Sequence, residues 1–195
     1  AFLELQEQLE GRPLPTRIFL PMGTAGTAAG LLVGSCLGLA QNQVQIIAVG
    51  ISHSPLSNGK SVLSLARKSY NFIRKNLSPE DRARLPVCDL KKNFTYIKEY
   101  SSPGYGAAHP AVHESIDLLH AQERLVLDAT YSGKAFLAMK ETIEHEVKGG
   151  QEIPTTLFWL TYRSHPLEQI IKDYTWKNPA KPHLDLPLAF HFLFD

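Results

Sequence analysis

Residues 19–34, FLPMGTAGTAAGLLVG, place Gly23, Gly26, Gly30 and Gly34 between two apolar runs, with hydroxyls at Thr24 and Thr27. An ordinary turn needs one glycine. An apolar strand, a glycine-rich turn and a helix start together make a site for a small anion. Backbone N–H groups converge on the ligand, the helix dipole adds positive potential, and glycine lets the backbone come close. The competing reading is a tight strand-to-helix turn whose small residues serve packing, since such loops are common without ligands. Two familiar phosphate motifs fail. A P-loop needs a lysine after its last glycine, and there is none here. A dinucleotide site needs GxGxxG and an acid near the end of the next strand. The spacing here is GxxGxxxG, and the next apolar run, VQIIAVGIS, ends in Gly50, Ile51, Ser52 and His53. A lone phosphate monoester is the guest that remains.

Around this loop, helical and strand-like patterns alternate, which predicts an α/β fold: an open, mostly parallel twisted sheet with helices on both faces. AFLELQEQLE reads as a helix with Phe2, Leu5 and Leu9 on one face, ended at Gly11. Strands are expected at RIFL and at the β-branched run 44–52, with a helix over 28–39 between them. A helix carrying Val62, Leu65, Tyr70 and Ile73 follows. SPEDRARL then starts a helix, with Ser78 as N-cap and Pro79 at N1. NFTYIKEY, RLVLD and TTLFWLTY read as further strands, and AVHESIDLLHAQ as a helix. KAFLAMKETIEHEVK reads as an amphipathic helix with Phe136, Met139, Ile143 and Val147 on its apolar face, stopped by Gly149 and Gly150. The chain opens inside a helix pattern, on Ala1. Residues 1–195 therefore read as a single α/β domain forming the later part of a longer protein, with an irregular tail over 174–195.

The net charge of +1 in 195 residues gives no electrostatic pull toward nucleic acid or a membrane surface, and no apolar run is long enough to span a bilayer. Cys36 and Cys88 lack CxxC spacing, which argues against a disulfide framework or zinc site and fits a reducing cytoplasm. Cys36, on an apolar helix, reads as a buried inert thiol. Among the eight histidines, His109 and His113 are four apart, but no carboxylate or cysteine completes a ligand set at recognisable spacing.

Two more loops carry unusual polar residues. GYG holds Tyr105 between glycines. DATYSGK places Tyr131, Ser132 and Lys134 after Asp128. Taken singly, each tyrosine is more simply a half-buried packing residue. Together, the three loops follow predicted strands, and ligands of open α/β sheets bind outside the carboxyl ends of strands.

MGTAGTAAGLLVG, GYG, QERLVLDATYSGKA and LFWLTYRS occur here in the order and rough spacing of the D-cysteine desulfhydrase and 1-aminocyclopropane-1-carboxylate (ACC) deaminase family, which the chain resembles over about residues 5–164. LDATYSGKA is the most specific piece. The resemblance implies fold type II, akin to the tryptophan synthase β-subunit, and pyridoxal 5′-phosphate (PLP) as cofactor. Gly23, Thr24, Ala25, Gly26 and Thr27 match the family's phosphate cup. Tyr105 and Tyr131 match two catalytic tyrosines, and Ser132 and Thr161 match residues near the pyridine nitrogen. Ser132, where the deaminase branch has glutamate, favours the desulfhydrase branch: a hydroxyl makes the ring a weaker electron sink, suited to elimination of a good leaving group. The implied reaction converts a small amino acid, D-cysteine-like or ACC, to a keto acid and ammonia, in a cytoplasmic homodimer.

The departures are specific. Ala25 replaces a frequent glycine, Ala129-Thr130 stands for Pro-Val, and Tyr162-Arg163 for Gly-Gly. Nothing matches the family's Schiff-base lysine or its Ser-Asn-His substrate loop. Lys60 reads as a solvated loop residue, and Lys134 as a helix-start residue or carboxylate partner. A non-catalytic binding or assembly module is therefore the other reading of the same residues.

Overall fold

The computed structural model describes residues 1–38, 44–52 and 58–161, all within one compact unit, Ala1–Tyr162. The tail over 174–195 and the crowding expected from Tyr162 and Arg163 lie outside the described residues.

Four parallel strands form one sheet in the order β3-β2-β1-β4: β1 Arg17–Met22, β2 Gln45–Gly50, β3 Phe94–Ile97 and β4 Thr156–Phe158. β1 sits centrally, with Phe19 opposite Ile47 on one side and Phe158 on the other. Successive side chains of a strand point to opposite faces, so the β-branched runs must find cover on both. On one face Ile18, Leu20, Met22, Ile46 and Ala48 pack with α1 (Phe2–Gln8), α2 (Gly26–Leu37) and α3 (Gly59–Asn76). On the other, Phe19, Ile47 and Val49 meet Ala135 and Ala138 of α6 (Ser132–Lys148). The expected α/β class, with its parallel sheet covered on both faces, is what the chain adopts.

Local chemistry explains most boundaries. Asn58 caps α3 by accepting from the Ser61 amide at 3.0 Å, and Lys60 is exposed on the first turn of that helix rather than in a loop. Ser78 caps α4 (Pro79–Arg84) by accepting from the Asp81 amide, as its sequence predicts. His109 stands at the N-cap of α5 (Pro110–Glu123). Gly133 lets α5 and α6 close up: a Cβ there would come within 2.9 Å of the Asp128 carbonyl oxygen and of Val112. Arg17 donates to both carboxylate oxygens of Glu146, at 2.6 and 2.8 Å, and to the Thr156 hydroxyl. It thereby ties the start of β1 to α6 and β4.

Three expectations are corrected. RLVLD is not a strand. Leu125 and Val126 are exposed and only Leu127 is buried, and the segment pairs with none of the four described strands, so its apolar residues lack the burial that would make a strand of them. The buried side of α6 is only in part the 136-139-143-147 stripe. Met139 packs against the core and Phe136 against Phe158, but the fully buried side chains include Lys134, Ala135 and Ala138, and Val147 is 56% exposed, because the close approach to the sheet takes small side chains. Finally, Cys36 and Cys88 are joined in a disulfide, with Cα atoms 5.7 Å apart. Spacing in sequence could not show this, since the bridge closes a separation of 52 residues by packing the end of α2 against the segment before β3. The inference of a reducing compartment loses its basis with it. Among the described residues, no helix is long and apolar enough to cross a membrane.

Candidate functional site

Each strand ends on the same side of a parallel sheet, so the loops that follow converge there. β1 leads to Gly23 and Thr24, β2 to Ile51 and Ser52, β4 to Thr161. β3 leads through a 3-10 turn, Glu99–Ser101, to the loop that carries Tyr105. Together with Pro21, Thr27 and Tyr131, these residues line a cavity of about 380 Å³. That is the lower range of small-ligand sites, which span roughly 300–1,000 Å³.

Of the residues the sequence singled out, Gly23, Thr24, Thr27, Tyr105, Tyr131 and Thr161 meet in this cavity. Ala25, Gly26 and Ser132 are not among its lining residues. Ala25 is the N-cap of α2 and packs partly against the core. Gly26 opens α2, and a Cβ built on it would meet nothing within 4 Å among the described residues, so packing against them does not explain a glycine there. Gly23 is different: its missing Cβ makes room for the Tyr131 ring, whose Cε1 would lie 2.9 Å from it. The first turn of α2 carries no acidic residue, so no charge of its own opposes an anion at that helix end, and Thr24 and Thr27 line the cavity beside it.

The turn that carries Tyr131 is held by Asp128. Its carboxylate accepts from the amides of Thr130, Tyr131 and Ser132, at 3.0, 2.6 and 3.0 Å, and from the Ser132 hydroxyl at 2.5 Å. Burial opposes its ionisation, but these four donors outweigh that cost and hold its carboxyl below its ordinary value. The result is a rigid turn at the start of α6 that presents Tyr131. Ser132 is fully buried within this turn, and its hydroxyl is committed to Asp128. The Tyr131 hydroxyl lies 2.9 Å from that of Tyr105, and their rings meet edge to face. Chiefly through this hydrogen bond, Tyr131 ionises above its ordinary value.

Sequence reasoning undervalued two residues. Asp128 was placed only at a strand end. Lys134 was read as a helix-start residue or carboxylate partner. It is fully buried, and its ammonium instead donates to the carbonyl oxygens of Gly104 at 2.8 Å and Ile51 at 3.2 Å. The signal for Asp128 was present in D-A-T-Y-S, an acid followed by amides it can cap. Lys134 had none, because its partners are backbone atoms far away in sequence.

No family model matches the chain. Curated relatives do. The chain is 28% identical over 141 residues to a D-cysteine desulfhydrase of Klebsiella pneumoniae, covering 72% of this chain and 38% of the relative. It is 31% identical over 163 residues to the nocardicin C-9′ epimerase of Nocardia uniformis, covering 83% of this chain and 44% of that protein. Among solved structures, an ACC deaminase homologue superposes over 80% of this chain and 43% of its own, with a TM-score of 0.52 at 18% identity, a likeness of fold. The chain thus spans less than half the length of the curated relatives it matches.

Proposed function

We propose, taking as premise the relation of this chain to the D-cysteine desulfhydrase and ACC deaminase family, that its cavity holds PLP by the phosphate and serves a deaminase or desulfhydrase acting on a small amino acid. The observation that supports this reading is the meeting in one cavity of two kinds of wall: the Gly23-Thr24 turn with Thr27 at the start of α2, and the Tyr105–Tyr131 pair opposite. The first is chemistry for a phosphate. The second is chemistry for moving a proton.

The residues fit the group. Gly23, Thr24 and Thr27 line the cavity where β1 passes into α2, so a phosphate there meets two hydroxyl donors beside the N-terminus of a helix. Ser52 and Thr161 leave hydroxyls for the ring. When bound, PLP supplies the electron sink that makes a bond at the substrate's α-carbon breakable. Tyr131 ionises above its ordinary value and so keeps its proton at neutral pH, and its hydrogen bond to the Tyr105 hydroxyl gives a proton a path between substrate and the second tyrosine. Ser132 contributes through Asp128, by fixing the turn that carries Tyr131. A D-cysteine-like substrate and a homodimeric assembly complete the proposal. Because it ionises above the ordinary tyrosine value, Tyr131 suits the role of proton donor rather than of base toward a C–H bond.

The test is binding of pyridoxine 5′-phosphate, which lacks the aldehyde and cannot react with surface lysines. Saturable binding that inorganic phosphate displaces, and that unphosphorylated pyridoxine does not reproduce, is the expected result. Equal affinity for pyridoxine with and without its phosphate would overturn the phosphate-cup assignment.

A further inference from the structure

Lys134 is the one fully buried charged side chain among the described residues, and no described carboxylate pairs with it. A buried amine is costly unless its donors are used. Here two of them are, and both acceptors are backbone carbonyls of the cavity's walls. One is Ile51, which lines the cavity at the exit of β2. The other is Gly104, whose next residue is Tyr105. Lys134 also sits in the first turn of α6, three residues after Tyr131, the N-cap of that helix. One side chain therefore joins the α6 turn, the β2 exit and the Tyr105 loop.

The loop needs such a tie. Gly104 and Gly106 have φ of +148° and +74°, and the hairpin is closed by a single Gly104–Ala107 bridge. Tyr105 is 66% exposed, so packing does little to hold it. Hydrogen bonds from a charged donor are the stronger kind. We propose that Lys134 is a positioning residue: by donating to the Gly104 and Ile51 carbonyls, it holds the Tyr105 loop against β2 and so sets the Tyr105 hydroxyl on that of Tyr131. This concerns the cavity wall and stands whichever ligand the cavity takes.

The test follows Tyr131 in the chain labelled with ¹³C at tyrosine Cζ, with Tyr131→Phe identifying its signal. The groups facing Tyr131 are Tyr105 and Asp128. Tyr105→Phe removes the hydrogen bond that raises its ionisation, so Tyr131 titrates at lower pH in that variant. Lys134→Met keeps the length and packing of the side chain without its donors. The expected result is the same downward shift of the Tyr131 signal, in a protein that still melts cooperatively. A folded Lys134→Met variant in which Tyr131 titrates with the wild type overturns the proposal. If Lys134→Met does not fold, Lys134→Arg decides. Tyr131 is then expected to titrate with the wild type. A folded Arg variant matching Tyr105→Phe would overturn the proposal, because donors would be present without holding the loop. Failure of pyridoxine 5′-phosphate to bind the wild type would remove the cofactor reading and leave this titration unchanged.

Discussion

The hydroxyls of Tyr105 and Tyr131 lie 2.9 Å apart, their rings edge to face at a centroid distance of 5.9 Å, although 26 residues separate them in the chain. Either hydroxyl can donate to the other. The pair can therefore pass a proton along its hydrogen bond without moving a heavy atom.

If that capacity is used, Tyr131→Phe in the complete protein lowers turnover far more than it lowers cofactor occupancy. The ring stays and only the hydroxyl leaves. A loss of 10²-fold or more is the range for a positioned acid–base group. Steady-state kinetics beside a spectroscopic measure of bound PLP checks this, and unchanged turnover would remove Tyr131 from the chemistry.

Gly26→Asp separates binding from folding. A side chain at Gly26 meets no neighbour, and an acid in the first turn of a helix is mildly favourable. The melting temperature is therefore expected to stay within a degree or two of wild type, by the size of such surface effects. Affinity for pyridoxine 5′-phosphate is expected to fall by about tenfold or more, equivalent to about 1.4 kcal/mol, because the new carboxylate repels the phosphate. Calorimetric titration reads the affinity. An unchanged affinity would place the phosphate elsewhere.

Asp128→Asn keeps the shape of the turn but loses the charge that its donors favour, at about 1–2 kcal/mol of stability. The folded-state carboxyl lies below its unfolded value, so its contribution is present above about pH 4, the ordinary range of an aspartate, and fades as pH falls through the lowered value. Wild type and variant should therefore differ in denaturant midpoint at pH 7 and converge on acidification. A difference that persists at low pH would mean that the hydrogen-bonded charge is not its source.

Reduction of Cys36–Cys88 releases a closure of 52 residues, which chain-entropy arguments value at up to about 4 kcal/mol. For a chain of this size that corresponds to a drop in melting temperature of several degrees or more. Differential scanning with and without a reductant measures it, and a thiol titration of the denatured, unreduced protein should find neither cysteine free. Coincident melting curves would show that the bridge does not constrain the unfolded chain.

Much of the site was legible residue by residue. RIFL reads as a short strand, and the run 44–52 as a strand covered on both faces, since a half-exposed strand would alternate; the chain forms both, over Arg17–Met22 and Gln45–Gly50. The glycines and threonines after the first run marked a ligand-sized gap, and Gly23, Thr24 and Thr27 do line one. Ser132 was legible as a hydroxyl near the cavity, but not as a hydroxyl already engaged by Asp128. RLVLD shows the limit of local pattern: its apolar residues suit a strand, yet a strand exists only where a neighbouring edge offers hydrogen bonds, and edges are a property of the whole sheet.

What the sequence determined by itself was therefore periodic or short-range: strand and helix types, the cap at Ser78, and the residue types gathered at strand ends. Those features rest on backbone geometry and neighbours a few residues away. Tertiary structure alone decided the Cys36–Cys88 bridge, the Tyr105–Tyr131 pair and the two carbonyls that take up the Lys134 ammonium. Each depends on the distance between atoms carried by different elements. That distance is set by how β1 and β2 pack α2 on one face and α6 on the other, and no window of sequence contains it.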